Sequence, residues 1–175
     1  SLVRKIKSAS DFVKDNKWLG WDPEIFLGEE LSGKTLGIIG FGRIGQAVAK
    51  RALGFGLRVM YFDPSRKEPA DRYVAKRSER VSLKLLLGKS DYISIHVPLQ
   101  ADTRHLINHK TIAAMKKKPI LINMSRGEVV ETGSLVEALK NGKLRGACLD
   151  VVDPEPLRGN HPLTKMENCL VVPHI

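Results

Sequence analysis

Residues 34–63 constrain this chain more than any other stretch. Thr35-Leu36-Gly37-Ile38-Ile39 is an apolar run of strand length. Gly40-Phe41-Gly42-Arg43-Ile44-Gly45 follows, with its glycines spaced G-x-G-x-x-G. Next come helix formers with Ile44, Val48 and Ala52 at helical spacing. Leu57-Arg58-Val59-Met60-Tyr61-Phe62 is a second strand-like run, closed by Asp63. Strand, glycine turn, helix, strand and acid, in that order, form the dinucleotide-binding βαβ fingerprint.

Each part has a physical task. Gly40 permits the tight turn out of the strand, Gly42 lets the backbone approach a pyrophosphate, and Gly45 lets the helix lie close to the sheet. The unpaired N–H groups and positive dipole at the helix start attract phosphate. Arg43, in the turn, adds a charge-assisted donor. Asp63 lies 18 positions after Gly45, where a carboxylate accepts hydrogen bonds from the adenosine ribose hydroxyls. Against a 2′-phosphate the same charge repels, so NAD is expected over NADP, with Arg66 and Lys67 softening the preference.

The 175 residues suffice for one domain with a substantial core. No apolar run approaches the roughly 20 residues needed to span a membrane. The net charge of +10 raises the question of nucleic acid. Apart from Lys116-Lys117-Lys118 the basic residues are scattered and aromatics are few, which describes a solvated surface better than a nucleic-acid interface. Cys148 and Cys169 sit in apolar contexts without a CxxC spacing, as buried free thiols of a reducing cytoplasm do. Ser1-Leu2-Val3-Arg4 reads as a helix entered partway, and Val171-Val172-Pro173-His174-Ile175 breaks off after a strand-like run, as in an excised piece of a longer protein.

The pattern divides residues 1–175 into an N-terminal helix and arm (1–31) and a core (32–175). Residues 1–17 read as a basic amphipathic helix, and 18–31 as an irregular, aromatic-bearing arm. Residues 64–81 read as loop with weak helix. Residues 82–87 read as a short helix capped by Ser82 and stopped by Gly88. Strands are expected at 91–97, 119–124, 145–151 and 168–172, with helices at 103–118 and 135–141. Strands alternating with helices give an α/β doubly wound parallel sheet of six strands. In such a sheet ligands bind beyond the carboxyl ends of the strands. Those ends deliver the glycines, Asp63, Val97-Pro98, Ser125-Arg126-Gly127, Asp150 then Glu155, and His174.

Asn123-Met124-Ser125-Arg126-Gly127-Glu128-Val129-Val130, with Leu149-Asp150-Val151, Asp153-Pro154-Glu155-Pro156-Leu157 and Pro173-His174-Ile175, resembles the D-isomer-specific 2-hydroxyacid dehydrogenases. The resemblance covers the whole chain and corresponds to the coenzyme-binding Rossmann domain of that family. It implies a second, smaller substrate domain, built from both ends of a longer chain. Pro154-Glu155-Pro156-Leu157 and Asn160-His161-Pro162-Leu163 are most similar to the glyoxylate/hydroxypyruvate reductase branch, with D-3-phosphoglycerate dehydrogenase second. Transcriptional corepressors that sense NAD share the same motifs and are the alternative of another class. A formate-dehydrogenase-like enzyme is disfavoured, because Glu155 is the hydroxyacid-type partner of His174.

By this resemblance Arg126, Glu155 and His174 are the catalytic residues. The cofactor-binding set is Gly40, Gly42, Arg43, Ile44, Gly45, Asp63, Val97, Pro98, Thr103, Met124, Ser125, Arg126, Asp150 and His174, with Asp150 at the nicotinamide carboxamide. The chemistry suits these roles. Reducing a 2-keto acid needs a hydride from the nicotinamide, a proton for the carbonyl oxygen and a cation for the carboxylate. Arg126 offers a planar fork for the carboxylate, His174 a proton donor, and Glu155 a carboxylate to orient the imidazole. His105 and His109 stand at i,i+4 with no third ligand, so they read as a solvated helix face and no metal is expected. His96 reads as a strand histidine near the cofactor edge and His161 as loop. The arm at 18–31 matches the region through which family members dimerise, so a homodimer is expected.

Overall fold

The computed structural model describes residues 2–64 and 71–175. Arg66 and Lys67 lie outside the described residues. Seven strands form one parallel sheet in the order β3-β2-β1-β4-β5-β6-β7. They are β1 (Thr35–Ile39), β2 (Arg58–Phe62), β3 (Ser78–Arg80), β4 (Tyr92–Ile95), β5 (Ile120–Asn123), β6 (Gly146–Leu149) and β7 (Cys169–Val171). β1 and β4 are buried along their whole length, which is why they read as continuous apolar runs. Successive side chains enter opposite layers. Ile38, Tyr92 and Ile120 pack on one face with Ala49 and Ala52 of α2 (Arg43–Gly54). Ile39, Ile93 and Leu121 pack on the other with Leu86 of α4 (Leu83–Lys89) and Leu135 of α6 (Thr132–Lys140). Each such buried Ile or Leu side chain contributes about 1.5–3 kcal/mol, so the sheet centre is the frame on which the edge loops hang.

The register explains how residues far apart in sequence meet. Phe62, Ile39, Ile95, Asn123, Leu149 and Val171 form one row across the sheet. One step further along lie Asp63, Gly40, His96, Met124, Asp150 and Val172. The strand order turns back between β1 and β4, the crevice where ligands of such sheets bind.

Several elements differ from the sequence expectation. Residues 64–81 are not merely loop with weak helix: α3 (Arg72–Arg77) is capped by Asp71, and Ser78–Arg80 adds the seventh strand. The first helix is broken. A 3-10 turn at Leu2–Arg4 precedes α1 (Ile6–Lys14), with Lys5 in the left-handed region between them at φ 50°. Gly88 lies inside α4, which is closed instead by Ser90, whose hydroxyl donates to the Leu86 carbonyl at 2.7 Å. The helix expected at 103–118 shrinks to α5 (His109–Ala113) behind an Asn108 capping box. Ile107 is extended, its N–H donating to Val129 O at 3.0 Å, and residues 116–118 fall beyond the helix. α7 (Pro162–Lys165) was not expected, and His161, read as loop, caps it. His105 and His109 do not share a helix: His105 is left-handed at φ 50° and His109 opens α5. The arm at 18–31 is irregular as expected and leaves Leu19 97% and Trp21 87% exposed.

Candidate active site

The glycine turn is built almost wholly of backbone. Gly40 stands at φ 91°, its N–H donating to Phe62 O at 2.8 Å. A Cβ there would lie 2.7 Å from the His96 carbonyl carbon, so only glycine lets β1 and the end of β4 approach this closely. A Cβ on Gly45 would run into the Gly40 carbonyl oxygen. Gly42 is different: a Cβ there would meet no protein atom within 4 Å. Packing within the protein does not require a glycine there.

Gly42 is also the N-cap of α2 and offers no side-chain cap, and no acid sits in the first turn. The first intrahelical bond runs from Gln46 N–H to Gly42 O at 3.0 Å, so the N–H groups of Arg43, Ile44 and Gly45 lie ahead of the ladder. An uncapped helix start beside an open glycine fits a phosphate, and so fits the pyrophosphate of a dinucleotide. Arg43 is exposed, and Ile44 is 65% exposed in the same turn.

Asp63 leaves β2 beside this turn, its Oδ2 accepting the Phe41 N–H at 2.6 Å. That bond fixes a carboxylate at the mouth of the turn, and the Phe41 ring stacks on Tyr61 at 3.7 Å. Arg80, at the end of β3, donates to the Asp63 carbonyl oxygen at 2.9 Å. Sequence reasoning missed Arg80, because the strand that carries it was not foreseen.

Val97 is buried and Pro98 exposed after β4. Thr103 is only 7% exposed. Its hydroxyl donates to Pro98 O and accepts the Gln100 N–H, both at 2.7 Å, so it closes the 98–103 loop from within. His96 pairs its Nε2 with the Ser94 hydroxyl at 2.8 Å, while its Nδ1 is buried without a partner. Burial pushes the His96 pKa down.

The third group lies beyond β5, β6 and β7. Met124 is 49% exposed, Ser125 half-buried and Arg126 exposed. Arg126 Nη1 donates to Ser125 O at 2.6 Å. Gly127 is buried, and a Cβ on it would run into the Val152 carbonyl, so the Arg126 turn lies directly on the loop that leads to Glu155. Thr132 Oγ1 donates to Asp153 O at 2.5 Å and ties the same two segments. Asp150 is 7% exposed, its Oδ1 accepting the Ile175 N–H at 2.9 Å. His174 stands in the left-handed region at φ 55°, and its Nδ1–H donates to Glu155 Oε1 at 2.9 Å. Both side chains of this pair are about half exposed, 49% for His174 and 45% for Glu155. The corner is an open ledge. A groove of about 890 Å3 lies elsewhere, between the N-terminal segment and α2.

Cys148 and Cys169 are free thiols. Burial raises both pKa values, that of Cys169 to about 12. Among the described residues no group of three potential metal ligands gathers, and no helix is long and apolar enough to cross a membrane.

All 175 residues match the family model described as D-isomer specific 2-hydroxyacid dehydrogenase, NAD binding domain. A glyoxylate reductase of Thermococcus litoralis is 48% identical, over 100% of this chain and 53% of its own length. The crystal structure of the TT0316 protein from Thermus thermophilus superposes with a TM-score of 0.90 at 44% identity, over 99% of this chain and 53% of that one. That of a glyoxylate reductase from Paecilomyes thermophila gives 0.87 at 32% identity, over 99% and 51%. The chain thus spans about half the length of these relatives. A doubly wound parallel sheet, a glycine turn built for a dinucleotide and a whole-chain match together make this chain a member of the D-isomer specific 2-hydroxyacid dehydrogenase family, as its NAD-binding domain.

Proposed function

We propose that residues 1–175 are the coenzyme-binding half of an NAD-dependent reductase that converts a small 2-keto acid, glyoxylate or hydroxypyruvate, to the D-2-hydroxy acid. The observation that carries this reading is the His174–Glu155 pair at 2.9 Å, on the same sheet edge as the glycine turn and the Arg126 turn. The names of relatives at 42–48% identity support glyoxylate as substrate.

When bound, the nicotinamide supplies the hydride. The N–H groups at the start of α2 hold the pyrophosphate, Asp63 the adenosine ribose, and Val97, Met124 and Ser125 line the remainder. Arg126 binds the substrate carboxylate and polarises the keto oxygen. His174 gives that oxygen its proton. Because Nδ1–H already donates to Glu155, the proton leaves from Nε2, so the ring carries both protons before reduction. Glu155 fixes the ring orientation and balances the positive charge. Asp63 favours NAD, and Arg80 beside it tempers the discrimination against a 2′-phosphate.

Trp18, Leu19, Trp21 and Leu27 of the arm are exposed apolar side chains that a second copy of the chain would cover. The reductase is accordingly a homodimer. The two free thiols fit a reducing compartment such as the cytoplasm. The test is a substrate panel on the full-length protein: glyoxylate, hydroxypyruvate, pyruvate and 3-phosphohydroxypyruvate, each with NADH and NADPH. We expect the highest kcat/KM with glyoxylate or hydroxypyruvate and NADH. Absence of turnover with every 2-keto acid would refute the reading.

A further inference from the structure

We infer that Asn123 is a positioning residue for Arg126, setting the turn from which the guanidinium meets substrate. This rests on the reductase reading above. Asn123 ends β5 and is 1% exposed. Its Oδ1 accepts the Ser125 N–H and the Ser125 hydroxyl, each at 3.1 Å, and its Nδ2 donates to Arg126 O at 2.8 Å. The amide orientation follows from these partners, since reversing it would set donor against donor and acceptor against acceptor. A buried amide is unfavourable unless its groups are met, and all three of these bonds go to the turn that carries Arg126.

The same residue reaches the other side of the ledge through its backbone. Asn123 O accepts the Asp150 N–H at 3.0 Å, and Asp150 Oδ1 accepts the Ile175 N–H at 2.9 Å, next to His174. The row that holds the sheet together is thereby continued into both catalytic segments. The Arg126 side chain itself is exposed, so the aim of its fork depends on its backbone. A displacement of about 1 Å at such a group is enough to cost on the order of a hundredfold in rate.

The test uses Asn123→Asp in the full-length protein, assayed with glyoxylate and NADH. Aspartate keeps the size and the acceptor for Ser125 but turns the Nδ2 donor into a carboxylate oxygen facing the Arg126 carbonyl. The expected result is a fall of about tenfold or more in kcat/KM, carried mainly by a raised KM for the keto acid, with a smaller rise in the Kd for NADH, which the same turn lines through Ser125. In an Arg126→Ala background the same substitution should cost less than about twofold, because its effect runs through Arg126. Equal losses in both backgrounds, or no loss in either, overturn the inference. Asn123→Ser, smaller and neutral, takes the same test if the aspartate does not fold. If the parent protein reduces no 2-keto acid, the reductase reading fails. The positioning role is then decided on the 175-residue chain by 15N relaxation of the Ser125 and Arg126 amides. Increased mobility in Asn123→Ser supports it, and unchanged relaxation overturns it.

Discussion

The glycine turn and the ledge of Arg126, Glu155 and His174 occupy the same edge of one sheet but are made of different material. The turn consists of backbone: a glycine at φ 91° against His96, a buried glycine against the Gly40 carbonyl, and the start of a 12-residue helix. Its geometry is set by strands and helix that are buried on both sides. The ledge consists of three exposed side chains on three loops, and its order comes from ties beneath them: Asn123 to Arg126, Asp150 to Ile175, Thr132 to Asp153. A backbone site is complete once the sheet folds. A side-chain site about half open to water, as His174 and Glu155 are, needs a cover to exclude solvent and seat a substrate. Cofactor binding and chemistry should therefore be separable by mutation.

The largest effect should come from the ledge. In the full-length protein His174→Ala removes the proton donor and should lower kcat on the order of a hundredfold or more. Glu155→Gln, which keeps the shape but not the charge, should lower it less. Steady-state kinetics with calorimetry should find the Kd for NADH within about twofold of wild type in both, since the pyrophosphate cradle, to which neither residue belongs, carries more of the affinity than the one cofactor contact expected of His174. A parallel loss of NADH affinity would join the two regions into one site.

Next come two glycines that split the turn itself. Gly45→Ala pushes a methyl into the Gly40 carbonyl and should lower both stability, by about 1–3 kcal/mol, and NADH affinity. Gly42→Ala faces no protein atom within 4 Å. It should leave the Tm unchanged and still weaken NADH by about tenfold, the loss of one good phosphate contact. Thermal melts and titrations of the two variants side by side provide the check.

Asp63→Ser should shift the ratio of kcat/KM for NADPH over NADH by about tenfold, as removal of one partly solvated repulsive charge would. Wild type preferring NADPH would contradict the role given to Asp63. The smallest effect concerns His96. Its folded pKa is lowered by burial, so the unfolded chain takes up a proton first, below about pH 6.5. Stability should thus fall as pH drops from there toward the folded-state value. His96→Gln should flatten the melting temperature against pH in that window. An unchanged slope would assign the acid loss to other groups.

What was legible in the sequence follows the same division. The glycine turn could be read because its spacing and residue types are dictated by backbone geometry. The strands flanking it could be read because they are buried and apolar throughout. Ser78–Arg80 was missed because an edge strand of three polar residues carries no apolar period, and Arg80 was lost with it. Residues 103–118 carry Leu106, Ile107, Ile112 and Met115 at near-helical spacing, yet Ile107 pairs with Val130 in extended form. There a contact distant in sequence overrides a local pattern. Arg126, Glu155 and His174 were singled out only through resemblance to a family, since no local pattern marks them. Asn123 was given no role of its own, standing only inside the strand expected at 119–124 and at the head of the motif that carries the resemblance. The available signal was a single amide closing the apolar run Ile120-Leu121-Ile122 immediately before a turn with an arginine. Its three bonds show only once the turn is folded.

The most direct test of the division is made on residues 1–175 alone, by calorimetry with NADH followed by an assay with NADH and glyoxylate. We expect one NADH bound per chain and no measurable oxidation of it by glyoxylate, because the backbone-built site is whole and the ledge uncovered. Failure to bind NADH, or robust glyoxylate reduction by these residues alone, would contradict the account.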